Sequence, residues 1–307
     1  MLDLVKLATL RAVVGHGSFS AAGAALGLTQ PAVSRQVSLL ERQVGTQLVR
    51  RTQQGVHPTE AGRLLVDHAD ALLGRLALAE AQLADLAGLR SGSVRLGSFF
   101  SALVYLSAEL AVVLEKRHPE LFRGATQPIE DALVDRRAAF AGLAAGELDV
   151  AIVCEHEHEP DPAPDDIEIV PLFADPPRIL LPAAHRLAGG AAVRLADLAE
   201  DTWIRAHHGS AARLVDHVLQ RAGLHPPTVL AGHGDEPVEA QAFIAAGRGV
   251  TVAHELNVLI SHDQIAVRPL ADPAPVRHVQ AAIMRGQNAP LPRTAIECLR
   301  EVGRRRG

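Results

Sequence analysis

Gln30, Pro31, Ser34, Arg35, Ser38 and Arg42 recur three, four or seven positions apart. At about 100° per residue that spacing gathers them on one side of a helix. Amide, hydroxyl and guanidinium groups displayed together can hydrogen-bond base edges in a DNA major groove and the phosphates beside it. A second set could receive an anion. Ser98 and Ser101 fall where a short strand ends and a helix begins, a place where backbone amides point outward. The stretch "IRAHHGS" places Arg205, His207, His208 and Ser210 before another helix. The bland alternative is that Ser101 and Ser210 only cap their helices.

A third set, "CEHEHE", puts Cys154, His156 and His158 on alternate positions, and thiolate with imidazole suits a soft divalent metal. No second group of donors accompanies it, so the reading is no metal site and a solvated loop instead. "HELNV" at His254 lacks the second histidine of a zinc protease helix. Neither a phosphate-binding glycine loop ending in Lys-Ser/Thr nor a Gly-x-Ser-x-Gly elbow is present, and no convergent catalytic set marks an enzyme.

The elements that must carry these residues follow from periodicity. Ser18 is placed to cap a helix containing Phe19, Ala22 and Leu26, which Gly27 ends. Thr29 caps the next helix, Pro31 is tolerated in its first turn, and Val33, Val37, Leu40 and Val44 form its buried stripe. "LVRRTQQGVHPT" reads as a small hairpin carrying Arg50 and Arg51, suited to phosphate contact. From Thr59 to about Gly88 one helix runs roughly 45 Å at 1.5 Å per residue. Along it Leu65, Ala69, Leu72, Leu76, Ala79, Leu83 and Leu86 alternate spacings of four and three, a seam that needs a partner helix or the chain's own domain. After "LRSGS", read as a hinge, strands and helices alternate, which implies parallel pairing and ligands at strand ends.

Residues 1 to 66 hold seven basic and three acidic residues, a surplus of four, while the rest of the chain carries an acidic surplus of nine. A polyanion therefore belongs at the beginning. Only two of the 30 basic residues are lysine, so arginine type alone singles out no position. Cys154 and Cys298 lie far apart and give no disulfide framework, no apolar run nears about 18 residues, and the start does not resemble a secretion signal. These features lead to a cytoplasmic expectation with no membrane span.

The text "GSFSAAGAALGLTQPAVSRQVSLLERQVGTQLVRRTQQGVHPTEAG" resembles the DNA-binding start of LysR-type transcriptional regulators over about 60 residues. Val49 departs from it, standing where the family usually has Phe. The resemblance implies an α/β chain in three parts: a winged helix-turn-helix at 1–58, a linker dimerisation helix at 59–90, and an effector-binding domain at 91–307. That last part would hold two lobes like those of type 2 periplasmic binding proteins, lobe I about 91–160 and 270–307, lobe II about 161–269. By the same resemblance Gln30, Pro31, Ser34 and Arg35 approach bases or nearby backbone, and Arg50 and Arg51 sit in the wing. Ser18, Thr29 and Ser38 complete the expected DNA set. Ser98, Ser101, Arg205, His207 and Ser210 would face each other across the lobes and hold a small, anionic organic effector, with no other cofactor. Expected partners are a double-stranded operator, the effector, a second copy through the linker helix, further copies in a tetramer, and RNA polymerase. A solute-binding protein would share the lobes but would need an export signal and lack the DNA-binding start.

Overall fold

A computed structural model describes residues 2–52, 55–86, 93–119, 128–231, 238–258 and 263–305 of the 307. The chain divides into two compact units, residues 1–90 with 141–148 and residues 91–140 with 149–307.

The first unit begins with three helices, α1 (Leu4–His16), α2 (Phe19–Leu26) and α3 (Gln30–Val44). Leu7, Leu10, Val13, Ala22, Val33, Val37 and Leu40 close into one core, so the stripe read from α3 is its buried face. Each of the leucines and valines contributes about 1.5–3 kcal/mol by leaving water. Gly27 ends α2 at φ 65°, a left-handed conformation that only glycine adopts without strain. A hairpin follows, β1 (Val49–Thr52) and β2 (Gly55–Pro58), antiparallel with Arg51 opposite Val56. The Gln53-Gln54 part of its turn lies outside the described residues.

The long helix α4 spans Glu60–Leu86. Thr59 Oγ1 accepts from the Gly62 amide at 3.0 Å, which satisfies an end donor. A Cβ on Gly62 would lie 1.9 Å from the Leu48 carbonyl oxygen, so only glycine lets α4 approach the hairpin this closely. The seam divides along its length. Leu65 and Ala69 pack into the core of their own unit, whereas Leu72, Leu76 and Leu83 are 51, 42 and 65% exposed. The Leu86 side chain and the hinge read at "LRSGS" fall mostly outside the described residues.

Lobe I of the second unit is a five-stranded sheet. Its strands are β3 (Val94–Ser98), β4 (Ile129–Leu133), β5 (Val150–His156), β6 (Ile167–Asp175) and, from the far end of the chain, Arg277–Met284. The helical run α5 (Phe100–Ala102), Leu103–Ser107 and α6 (Ala108–Arg117), with a π turn in its middle, covers it together with α10 (Pro290–Arg304). The helix α7 (Arg136–Ala144) precedes β5. Lobe II has β7 (Pro177–Pro182), β8 (Trp203–Arg205), α8 (Ser210–Ala222), β9 (Thr228–Leu230), α9 (Val238–Ala245), β10 (Thr251–His254) and β11 (Ile265–Pro269). The chain then returns to lobe I as β12, Arg277–Met284.

Two expectations change here. Lobe II begins near Pro177 rather than at 161, because β6 pairs antiparallel with β12 from Ile167 to Asp175 and buries Ile167 and Val170 against lobe I. The sheets are mixed rather than parallel. β3 runs parallel to β4 and β5, and β8 to β9, but β12 enters between β5 and β6 in the opposite direction and β7 is antiparallel to both neighbours. A strand that returns from the other lobe arrives from the opposite end of the sheet, which fixes that direction.

Candidate nucleic-acid interface and effector cleft

α3 presents Gln30, Pro31, Arg35, Ser38 and Arg42 to solvent, with Ser34 half-buried beside them. The polar face is thus the one opposite Val33, Val37 and Leu40. Ser18 caps α2 and accepts from the Ala21 amide at 3.4 Å. Thr29 occupies the cap position of α3, but its hydroxyl makes no capping bond. Pro31, at the second helical position, removes one of the two amides a cap accepts from, and the capping role expected for Thr29 does not hold. Thr29 remains exposed on the α2–α3 turn.

Glu41 is turned inward, its carboxylate accepting from the amides of Leu48 at 2.8 Å and Val49 at 3.3 Å. This acid therefore pins the start of the hairpin. The Val56 amide donates to the Gly17 carbonyl at 2.8 Å and ties the hairpin to the end of α1. Arg50 is exposed. Arg51 lies across the Phe19 ring, 4.4 Å from its centroid, and its Nη2 donates to Ser34 Oγ at 3.3 Å. The hairpin and the polar face of α3 thus form one surface.

In the second unit a cavity of about 490 Å³ opens between the lobes. Ser101 and Ser210 line it, and the Ser101 hydroxyl is buried with no hydrogen-bond partner among the described residues. Three expected residues are elsewhere. Ser98 is fully buried in β3 and donates to the Phe99 carbonyl at 3.3 Å. Arg205 forks onto Asp216, with Nε at 2.7 Å, and also donates to the Ala206 carbonyl at 2.9 Å. That guanidinium holds the Asp216 carboxyl below its usual value, and Asp216 in turn raises Arg205. His207 is exposed and does not line the cavity. The strand carrying Arg205 turns it toward its own following helix, which the sequence order alone does not reveal.

Arg136, Arg213 and Arg277 supply the cavity's cations instead. Arg213 stands one helical turn after Ser210, and its Nε meets Glu159 Oε2 at 2.6 Å. Arg136 donates to the carbonyls of Cys154 at 3.0 Å and Asp161 at 2.7 Å. Arg277 is buried and forks onto Asp175, whose Oδ1 accepts from the Leu256 amide at 3.0 Å. Asp135, Glu155, Glu159 and Asp161 line the same space, so the wall is charged in both signs. One signal could have found Arg277. In "VRHVQAAIM" it alternates with Val279, Ala281 and Ile283, and a charge on a strand's core side needs a buried partner.

Cys154 Sγ lies 3.8 Å from His156 Nε2, and both cysteines are reduced thiols. No group of three His, Cys, Asp or Glu side chains among the described residues could hold a metal ion. "HELNV" forms the end of β10 and a single 3₁₀ turn rather than a metal-binding helix.

A winged helix-turn-helix joined in one chain to a two-lobed domain with a polar cavity defines a ligand-responsive DNA-binding regulator. Residues 4–63 match the bacterial regulatory helix-turn-helix proteins of the lysR family, and residues 87–304 match the LysR substrate binding domain. The chain belongs to the LysR family of transcriptional regulators, which are not enzymes. It is 32% identical to the small neutral protease regulatory protein of Streptomyces coelicolor over 291 residues, covering 93% of this chain and 83% of the relative. The transcriptional regulator CbbR of Sinorhizobium medicae is 27% identical, with 95% and 90% covered. Among solved structures, full-length OxyR from Pseudomonas aeruginosa superposes with a TM-score of 0.70 at 23% identity, covering 99% of this chain and 95% of that one. CbnR, solved with its target DNA, gives 0.53 at 20% identity, covering 98% and 100%; both likenesses concern the fold.

Proposed function

We propose that this regulator binds its operator as a homodimer joined through α4 and answers to a small organic effector with an anionic group, held in the 490 Å³ cavity. The observation that carries the assembly is the row Leu72, Leu76 and Leu83, exposed at positions four and seven apart. Leucines so spaced along a helix bury themselves against a second copy. Two copies then offer two recognition helices to half-sites about one DNA turn apart, 34–36 Å. Gln30, Ser34, Arg35 and Ser38 face base edges, and Arg50 faces phosphate. Ser18 and Thr29, at the helix starts, and Pro31 lie along the adjoining backbone.

For the effector, the unpartnered Ser101 hydroxyl and Arg213 are the receiving groups, with Glu159 giving way to the incoming anion. Asp135 and Asp161 favour an effector that also carries hydrogen-bond donors. Further pairing of effector domains into a tetramer, contact with RNA polymerase and a cytoplasmic location complete the reading. The location is supported by the need to reach DNA, and no described helix is long and apolar enough to cross a membrane. A mobility shift with the DNA upstream of the protein's own gene tests the proposal. A retarded band that competitor DNA of unrelated sequence does not remove supports it, and uniform competition overturns it.

A further inference from the structure

Four histidines run in a row through the two-lobed unit. His254, at the end of β10, lies 5.3 Å ring to ring from His156 at the end of β5. His156 is 5.5 Å from His158, and His158 is 4.9 Å from His217 on α8. The row therefore links a lobe II strand, a lobe I strand, the loop behind it and a lobe II helix. It runs beside the cavity, whose wall includes His156, Arg213 and Arg277.

These rings are packed rather than hydrogen-bonded into a relay. Both nitrogens of His158 and Nε2 of His254 are buried with no hydrogen-bond partner among the described residues. His254, 3% exposed, has its other nitrogen on the Pro275 carbonyl. Neutral, His254 leaves one acceptor unmet and His158 one donor and one acceptor, whereas an imidazolium at either place would add a buried donor and a charge without an acceptor. Cations already surround the row. Arg277 on β12 faces His254, and Arg213 on α8 faces His158. The opposing acids are Asp175 on β6, which is committed to Arg277, and Glu159, which is committed to Arg213. Cys154 lies beside His156.

We propose that this row is a proton-sensitive joint between the lobes: neutral, it packs them together, and charged, it loosens them and the cavity they enclose. Burial and these cations push His254 well below its ordinary value of 6.5, and burial and His217 push His158 down as well. For a histidine lowered on folding, the unfolded chain takes up protons first as pH falls. The joint's contribution is thus complete above 6.5 and is lost progressively below it, down to the folded values.

The test uses the full-length protein with EDTA present, its thermal midpoint followed from about pH 8 to about pH 5, a range that brackets ordinary histidine titration. The wild type is expected to lose roughly 3–6 °C more than His158→Gln/His254→Gln, the shift a tenfold change in folding constant gives in a domain of this size. Small-angle scattering should show expansion on acidification in the wild type and not in the variant. Equal pH profiles for the two proteins overturn the proposal. Should the variant fail to fold, proton NMR of wild-type His254 decides alone: titration well below 6.5 supports the joint, and titration at or above it overturns it. A stoichiometric rise in midpoint with zinc, abolished in the variant, overturns it in favour of a metal site.

Discussion

Arg51 and Phe19 are stacked, the guanidinium carbon 4.4 Å from the ring centroid, while Nη2 of the same arginine holds Ser34 Oγ at 3.3 Å. One side chain thereby joins the hairpin, the start of α2 and the recognition helix. A stack of this kind is worth about 0.5–1 kcal/mol at an exposed site, enough to bias the hairpin's position. Arg50 precedes it on the strand, exposed and outside that stack.

The two arginines should accordingly separate in a salt titration of DNA binding. Arg50→Ala is expected to weaken specific and non-specific binding alike and to lower the salt slope by about one. Arg51→Ala, which frees Ser34 and the hairpin together, should mainly lower the ratio of specific to non-specific affinity. Arg35→Ala should relax discrimination by about 1–3 kcal/mol at the base pair it reads. Equal loss on all sequences for Arg35→Ala would remove it from the base edges.

Charge placed in the exposed row of α4 should break the dimer. Leu72→Asp/Leu76→Asp is expected to halve the mass seen by light scattering and to lower operator affinity with it, since each half-site alone binds weakly. These side chains are 51 and 42% exposed in the single chain, so its own fold should survive. An unchanged mass with native circular dichroism would place the interface elsewhere.

What the sequence made legible was governed by periodicity. Val33, Val37 and Leu40 repeat at helical spacing because one face of α3 is buried, and the spacing alone therefore located the polar face. α8 follows the same rule, with Ala212, Val215, Val218 and Leu219 buried at helical spacing. β4 was not, because "IEDAL" runs along an edge with a single buried residue and carries no alternation. The cleft was legible only in part. Ser101 and Ser210 follow from strand-to-helix order, but Arg205 belongs to Asp216, eleven residues later, and Arg277 belongs to Asp175, across the sheet. Ion pairing between elements distant in sequence leaves no local period to read.

The Asp175–Arg277 pair should be costly to break from one side. Arg277→Met leaves a buried carboxylate with, among the described residues, the Leu256 amide as its remaining hydrogen bond, and about 3–5 kcal/mol of stability should be lost in urea unfolding. Asp175→Asn/Arg277→Met, which removes both charges, should recover much of that loss. A single variant as stable as the wild type would mean that the pair is not closed in solution.

Glu168 on β6 offers an acid-side test. Arg293 forks onto it at 2.8 and 2.9 Å and holds its carboxyl below the ordinary 4.5. For a carboxylate lowered on folding, the stabilisation is present above 4.5 and disappears as pH falls through the folded value. Both side chains are about a third exposed, so solvent screening limits the effect to about 1 kcal/mol at low salt. Glu168→Gln should therefore narrow the stability difference between pH about 5 and pH about 3 and lose its effect in high salt. A profile parallel to the wild type would show the fork to be energetically silent.

The cavity separates two arginines that the sequence could not rank. Arg213 lines it and, among the described residues, is held by half-exposed Glu159, whereas Arg205 lies outside it and is engaged with Asp216 and two carbonyls. An anionic effector can take Arg213 by displacing one screened carboxylate, an exchange of about 1 kcal/mol or less. Reaching Arg205 would mean breaking a bidentate pair. The Ser101 hydroxyl, buried without a partner among the described residues, gains a hydrogen bond when an effector enters. In a thermal-shift screen of carboxylate metabolites, a stabiliser of the wild type should therefore lose its effect in Ser101→Val and Arg213→Ala and keep it in Arg205→Ala. All three variants should still retard operator DNA in the absence of the effector. If Arg205→Ala abolishes the response while Arg213→Ala preserves it, the anion is received on the other side of β8 and the cavity is not the effector site.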